Sequence, residues 1–211
     1  IFSVQGDLSD SFNSNRPALI DASDNTAGVD LNVFDDVREV RFLSSQGEDD
    51  VNFFLGSSSL GITKITVTGQ DGDGHYDLDA NVVNVVLGNG DNVVHAGELF
   101  GDSPDDRTMD FATITVGNGK NVIDAIAFVG GTSAPNPSAE ANVNEDTQSK
   151  IVITAGSGGN EINAWGDFVT VNTGTGNDEI SATGRDIRIN SNGGDDVVTI
   201  FGNNDDFQGS S

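Results

Sequence analysis

Acidic side chains recur in this sequence at the ends of glycine-rich turns, where they could supply oxygen ligands to a metal ion. The turns TGTGND and SNGGDD are compared with the pattern GxGxDxU, where U is a large apolar residue. Asp178 and Asp196 occupy the acidic position, and Asn177 and Asp195 precede them. Calcium takes six to eight oxygen ligands. A turn stacked on an identical turn offers backbone carbonyls from two layers and two carboxylates, so these four residues are predicted calcium ligands.

A second acidic constellation contains Asp71, Asp73 and Asp77, with Gly74 between them. These residues match the later part of a DxDxDGxxD loop, in which alternate carboxylates point at one centre and the glycine allows a sharp turn. The segment is similar to the calcium loops of FG-GAP-type propeller blades. The sequence has a single copy of this loop, which excludes a propeller, so the similarity predicts only a local calcium loop. A solvated acidic turn is the alternative. Asp49 is a further candidate metal ligand, with a solvated side chain as its alternative.

The elements that must position these residues are short strands that repeat along the chain. Three units begin at Ile151, Val169 and Ile187, each 18 residues after the last. Each unit has two alternating apolar residues, a glycine-rich hinge and two more alternating apolar residues. Period-two alternation is typical of a strand with one buried face. Such units bury that face by stacking as the coils of a solenoid. The sequence therefore predicts an all-β parallel β-helix or β-roll.

The repeat extends over most of the chain, with about seven to eight coils. Residues 1–36 are assigned to an N-terminal cap and a degenerate first coil, and residues 37–211 to the β-helical repeat domain, within one domain in all. Insertions at 97–110 and 129–149 follow the second strand of a coil, so both are expected at one corner, opposite the hinges. The hinge that precedes Leu78 is interpreted as two residues longer than the others.

The glycine-rich hinges resemble those of the repeats-in-toxin (RTX) family, secreted bacterial proteins with the nonapeptide GGxGxDxUx. The resemblance implies a parallel roll that binds calcium between stacked turns, through backbone carbonyls and the acidic residue. This chain has one hinge per 18 residues where RTX rolls have one per nine, so at most one column of calcium sites is expected. The earlier coils differ at the acidic position, where they carry Asp49, Tyr76, Asn92, Asn121 and Asn160. For the three asparagines we expect a metal-free hydrogen-bond ladder.

The composition excludes several classes of partner. The 34 acidic and 9 basic residues give a net charge of −25, which argues against nucleic acid and anionic membranes as partners. The chain has no cysteine, so an extracellular protein of this sequence needs a staple other than disulfides. No stretch is apolar enough to span a bilayer. The chain starts at Ile1, which is expected of a processed product or an excerpt.

An enzymatic function is the alternative, because parallel β-helices also carry polysaccharide lyases, hydrolases and epimerases. The nine basic residues are dispersed, and lyases of acidic polysaccharides need clustered cations. His75 and His95 have no partner at a spacing typical of a triad or a zinc site. Trp165, Phe168 and Phe201 could stack on a sugar, although packing of the insertion corner is the favoured interpretation. A threonine ladder of the ice-binding kind is interrupted and is not favoured.

Together these observations predict a non-catalytic, calcium-stabilised β-helical module that is secreted to a bacterial cell surface, of the surface-layer or adhesin type. Its expected partners are calcium ions, further copies in a filament or layer, and a cell-surface glycan. A β-helical polysaccharide-active enzyme or carbohydrate-binding module is the alternative.

Overall fold

Two parallel sheets make up the whole described structure, which is a computed structural model. The described residues are 2–5, 18–35, 39–55, 64–97, 111–127, 149–202 and 205–210. Within them the chain forms eighteen strands, which alternate between two nine-stranded sheets. These residues include no helix with the length and hydropathy to cross a bilayer.

The strands fall into an odd sheet and an even sheet by their order along the chain. The odd sheet contains β1 (Phe2–Gln5), β3 (Val29–Asp35), β5 (Asp49–Leu55), β7 (Gly74–Asp79), β9 (Asn92–Ala96), β11 (Val122–Ile126), β13 (Glu161–Trp165), β15 (Glu179–Thr183) and β17 (Val197–Phe201). The even sheet contains β2 (Ala18–Asp21), β4 (Glu39–Leu43), β6 (Lys64–Thr68), β8 (Val82–Val86), β10 (Phe111–Val116), β12 (Lys150–Ala155), β14 (Phe168–Asn172), β16 (Asp186–Gly193) and β18 (Asp205–Ser210).

Each even strand and the odd strand that follows it form one coil of a solenoid. Eight such coils, from β2 with β3 to β16 with β17, lie between the single strands β1 and β18 in the described residues. This confirms the predicted parallel solenoid and its seven to eight coils. Nine strands at about 4.8 Å give each sheet a length on the order of 40 Å. We call the even-to-odd connection of a coil its hinge, and the odd-to-even connection its return.

The core lies between the two sheets and is built of columns of equivalent residues. Alternate side chains of each strand point inward, so in-register pairing places each inward residue on its counterpart in the next coil. One column of the even sheet, in which each member is at most 1% exposed, is Val40, Ile65, Val83, Ala112, Ile151, Val169 and Ile187. Full burial of each Val or Ile contributes about 1.5–3 kcal/mol, which is why the alternation specifies the fold.

The hinges have a more regular length than the sequence indicates. In register, Gly74 pairs with Asp49 and Asn92, whereas Tyr76 pairs with Val51 in the core. The predicted two-residue extension of this hinge, and the place of Tyr76 in the acidic column, are therefore wrong. Tyr76 has a polar hydroxyl but is only 3% exposed, and its ring fills the space above Gly74 where a side chain would otherwise stand.

The returns carry the length variation of the chain. Between β13 and β14 the return is Gly166 and Asp167 alone, whereas residues 127–149 separate β11 from β12. The predicted insertions at 97–110 and 129–149 both connect an odd strand to an even strand, and they lie outside the described residues except at Gly97 and Ser149. The hinges are free to stack because the insertions are confined to the other corner.

The hinges contain a stacked glycine whose backbone no other residue adopts readily. Gly158 has a φ of 142°, and its amide donates to Thr175 O in the next coil. A Cβ built on Gly158 would lie 2.0 Å from Gly119 O in the coil before. The adjacent Gly159 has no such φ, and its nearest contact would be Asn177 O at 3.2 Å. Close approach of two backbones therefore requires glycine at 158.

We predict that Gly158→Ala lowers the free energy of unfolding by at least about 2 kcal/mol, from the positive φ and the backbone clash together. For a domain of this size the melting temperature should fall by about 5 °C or more. Gly159→Ala is the matched control and should shift the melt less than half as far. Thermal unfolding followed by circular dichroism measures both variants, and equal shifts would contradict the stacked-glycine account.

Candidate functional site

The hinge carries a column of polar residues that faces the interior of the solenoid. We call it the inner column. In register from coil to coil it contains Asp49, Gly74, Asn92, Asn121, Asn160, Asp178 and Asp196. Asn92, Asn121 and Asn160 are each at most 2% exposed. Buried polar groups need hydrogen-bond partners, so each member of the column must be satisfied by its neighbours.

The three asparagines satisfy one another in a ladder. Asn92 Nδ2 donates to Asn121 Oδ1 at 3.1 Å, and Asn121 Nδ2 donates to Asn160 Oδ1 at 2.9 Å. Each Nδ2 also reaches carbonyls of its own hinge, as Asn121 does at Gly117 O and Gly119 O. An amide has both donors and acceptors, so a stack of amides is self-complementary. The predicted hydrogen-bond ladder of the three asparagines is confirmed.

Asp49 begins the column with a carboxylate whose acceptor positions are filled. Its oxygens accept from Val29 N, from Ser45 N and Oγ, and from the hydroxyl of Tyr76 at 3.4 Å. A carboxylate has about four acceptor positions, and here four protein donors occupy them. Asp49 is 2% exposed, so the solvated alternative for it is wrong. Its contacts are those of a structural anchor for the hinge.

Gly74 has no side chain, and the ring of Tyr76 fills the space at this position of the inner column. This ring extends from the core column so that its hydroxyl reaches Asp49 in the coil before. Burial raises the pKa of Tyr76 well above its ordinary value, and the nearby Asp49 carboxylate raises it further. Tyr76 therefore acts as a neutral hydrogen-bond donor to a buried carboxylate.

Asp178 interrupts the ladder because a carboxylate replaces the amide. Its Oδ1 accepts from Asn160 N and Asn160 Nδ2, both at 2.8 Å, as Asn121 Oδ1 accepts from Asn92 N and Asn92 Nδ2. Its Oδ2 is buried and receives no hydrogen bond from the described residues. Asp178 is 2% exposed, so this oxygen is an unpartnered acceptor inside the hinge.

The groups expected around Asp178 Oδ2 follow from comparison with the equivalent atom of Asn160 in the coil before. In Asn160 the equivalent atom is Nδ2, which donates to Gly156 O, Gly158 O and the next residue of the column. In the Asp178 hinge the equivalent carbonyls are those of Gly174 and Gly176, and the next residue is Asp196. By this equivalence an acceptor oxygen replaces the donor nitrogen while the groups opposite it are still acceptors, and a bound cation would satisfy this arrangement.

These oxygens fit a hard cation such as calcium. By this equivalence the candidate donor set consists of the carboxylates of Asp178 and Asp196, from adjacent coils, and the carbonyls of Gly174 and Gly176, from the Asp178 hinge. These are ligand types that calcium prefers. Asp196 is only partly buried, so water can complete a shell of six to eight oxygens. The inner column thus offers one cation position, between the coils of β15 and β17.

The other predicted ligands lie in outer columns of the hinge, where their oxygens bind backbone amides. Asn177 Oδ1 accepts from Asp195 N at 3.0 Å, so the structure brings this predicted pair together. Asp71 Oδ1 accepts from Asn89 N at 2.7 Å. Asp73 Oδ1 accepts from Asp91 N, also at 2.7 Å. Each of these residues connects one coil to the next.

Asp77 is placed apart from the hinge, on the outer face of the odd sheet. Its Oδ1 lies 2.7 Å from His95 Nδ1 and 3.4 Å from His75 Nε2. The expectation that the two histidines lack a partner at a metal-site spacing is wrong, because stacking of coils brings them together. The repeat contains the information that predicts this contact, because alignment of Tyr76 with Val94 places Asp77 beside His95.

Three arginines of the described residues are paired with acidic side chains. The ion pairs with N···O distances of at most 3.1 Å are Arg41 with Glu39, Arg185 with Asp167, and Arg188 with Asp186. Trp165 and Phe168 flank the return at Gly166, and Trp165 shares a column with Phe201 through Thr183.

Comparison of the chain with protein-family models, with curated proteins and with solved structures finds no match. The functional proposals below therefore depend on the residues and geometry of this chain.

We predict that Tyr76, the single tyrosine of the chain, stays neutral in the folded protein at about pH 11, one unit above the ordinary tyrosine pKa. The pKa of Tyr76 is higher in the folded chain than in the unfolded chain. The contribution of this neutral side chain to folding stability is therefore complete below the unfolded pKa and is lost as the pH rises through the folded pKa. Ultraviolet absorbance of tyrosinate reports ionisation, with the denatured chain at the same pH as control. Equal absorbance of folded and denatured chains would contradict the placement of Tyr76.

Proposed function

We propose that this chain is a calcium-stabilised structural module that is secreted to a bacterial cell surface, of the surface-layer or adhesin type, without catalytic activity. The observation that carries the proposal is the buried, unpartnered Oδ2 of Asp178. It lies in the inner column, where the amides of Asn92, Asn121 and Asn160 are hydrogen-bonded to their neighbours. The resemblance of the hinges to RTX repeats supports the same ion.

The charge of the chain supports a cation as the missing partner. A net charge of −25 opposes a compact state by self-repulsion, and bound cations relieve it. Asp178 lies in the hinge before β15, and Asp195 and Asp196 lie in the hinge before β17; neither of these two adjacent hinges contains a basic residue. A divalent ion between Asp178 and Asp196 neutralises this local excess and links two coils.

The energetics favour an environment rich in calcium. Extracellular calcium modules have dissociation constants of about 10⁻⁴–10⁻³ M. At a tenfold excess of calcium one such site stabilises the folded state by about 1.4 kcal/mol. Net stabilities of domains are about 5–15 kcal/mol, so one site is a measurable fraction of the whole. The module is then most stable outside the cell, which agrees with a secreted protein that contains no cysteine.

The architecture supports a structural role. Stacked coils give a rod on the order of 40 Å long with two broad polar faces and one corner of variable returns. In this proposal the rod presents its faces to a cell-surface glycan, and copies associate into a filament or layer. Calcium has a mechanical role, since it joins neighbouring hinges.

We predict that calcium raises the melting temperature of the wild-type chain by about 2–6 °C relative to excess chelator, from about 1.4 kcal/mol at one site. Asp178→Asn restores the amide donor, so this variant should melt at the same temperature in calcium and chelator. In chelator it should melt above the wild type. Circular dichroism melts of the untagged chain measure these shifts.

Asp91→Asn is the matched control, because it removes the same charge from an exposed hinge position whose oxygen accepts from Lys120 N. This variant should keep the full calcium response. If the wild type melts identically in calcium and chelator while Asp178→Asn is stabilised, the calcium staple is rejected. If calcium stabilises the fold but the protein sediments as a monomer at high concentration and is not retained on cell-wall glycan, the surface-assembly role is rejected.

A further inference from the structure

A second cluster of metal-ligating side chains lies on the outer face of the odd sheet, away from the hinges. His75 and Asp77 are two residues apart on β7, so they point to the same side of the sheet. His95 on β9 pairs in register with Asp77, and Asp124 on β11 pairs with His95. Stacking of three coils thus places two imidazoles and two carboxylates side by side.

One atom from each of three residues converges on a common point. His75, Asp77 and His95 each offer a ligand atom, and these atoms lie within 4.8 Å of one another. Asp77 Oδ1 lies 2.7 Å from His95 Nδ1 and 3.4 Å from His75 Nε2. The separation of two ligands in a tetrahedral zinc shell is roughly 3.3 Å, which follows from a Zn–N distance of about 2.0 Å. The two distances to Asp77 Oδ1 lie on either side of this value.

The Nε2 atom of His75 is available as a ligand at this point. This atom is buried and has no hydrogen-bond partner among the described residues, although Asp77 Oδ1 is near. The two imidazole rings meet edge to face, with centroids 5.4 Å apart. A metal ion between Nε2 of His75 and Nδ1 of His95 would satisfy the first nitrogen and replace the proton on the second.

The opposite nitrogen of each imidazole faces a further carboxylate. His95 Nε2 lies 3.5 Å from Asp124 Oδ2, and His75 Nδ1 lies 3.9 Å from Asp50 Oδ1. Metal-bound histidines commonly donate their other N–H to a carboxylate, which fixes the tautomer and strengthens the ligand. In this cluster a carboxylate lies near the second nitrogen of each histidine, at a distance longer than a hydrogen bond, so that a modest approach on metal binding would complete the arrangement.

We propose that His75, Asp77 and His95 bind a divalent first-row transition ion, with zinc as the best match, and that Asp124 and Asp50 orient the two imidazoles. Imidazole nitrogen is a ligand of zinc, copper and nickel, whereas calcium takes oxygen ligands. Three protein ligands leave at least one position of the ion open to water or to a further ligand. The site joins β7 to β9 and is independent of the calcium position between β15 and β17.

We predict that the untagged, metal-free chain binds one zinc ion by isothermal titration calorimetry, and that excess calcium does not displace it. His75→Gln and His95→Gln should each weaken zinc binding by more than about tenfold, because each removes a direct ligand. Asp124→Asn should weaken it by about tenfold or more through the orientation of His95. Cobalt(II) bound at the same site should give visible absorption bands that both histidine variants lose.

Glu179→Gln is the matched control, since it removes an acid from the outer face of the same sheet, in the column that also contains His75. This variant should bind zinc as the wild type does, and unchanged circular dichroism spectra establish that every variant is folded. The proposal is overturned if one equivalent of zinc does not bind. It is equally overturned if the histidine variants bind zinc as tightly as the wild type, or if calcium competes with zinc, because binding is then diffuse attraction to an acidic surface.

Discussion

In-register stacking of parallel coils is the constraint on which the rest of this structure depends. Each residue has its equivalents in the coils above and below as its nearest neighbours, so a side chain must be compatible with copies of itself or with a specific replacement. Valine and isoleucine meet this condition in the core, as Ile151 does between Ala112 and Val169. Glycine meets it at the hinge, where backbones approach too closely for a Cβ.

Polar residues meet the same condition in different ways. An amide stacks on an amide because it both donates and accepts, and Asn92, Asn121 and Asn160 use this property. A carboxylate only accepts, so an aspartate in the column needs donors from elsewhere. Asp49 obtains them from Ser45, Val29 and Tyr76, whereas Asp178 has an oxygen that no described donor reaches. The same residue type thus has a structural role in one coil and a proposed metal-binding role in another.

The sequence predicted the features that depend on local pattern, and it failed where a contact depends on register between coils. Alternation of Val and Ile predicted the strands and the core, and the hinge asparagines predicted the ladder. Tyr76 was misplaced by two residues because Leu78 was assigned as the first apolar residue after the hinge, whereas the ring of Tyr76 already belongs to the core. That shift also concealed the pairing of Asp77 with His95, which are 18 residues apart in sequence. The unpaired oxygen of Asp178 was not visible in the sequence, since the donors that satisfy its Oδ1 belong to the coil before.

The two proposed cation positions differ in chemistry because they lie on different surfaces of the same coil geometry. At the hinge, backbone carbonyls converge with the carboxylates of Asp178 and Asp196, so that position offers oxygen alone and suits a hard ion. On the outer face of a strand the carbonyls are engaged in the sheet, and only side chains project. His75 and His95 therefore determine the ion there, and they favour a transition metal over calcium. Ions bound at these positions would join different pairs of coils, β15 to β17 and β7 to β9, so removal of one leaves the ligands of the other in place.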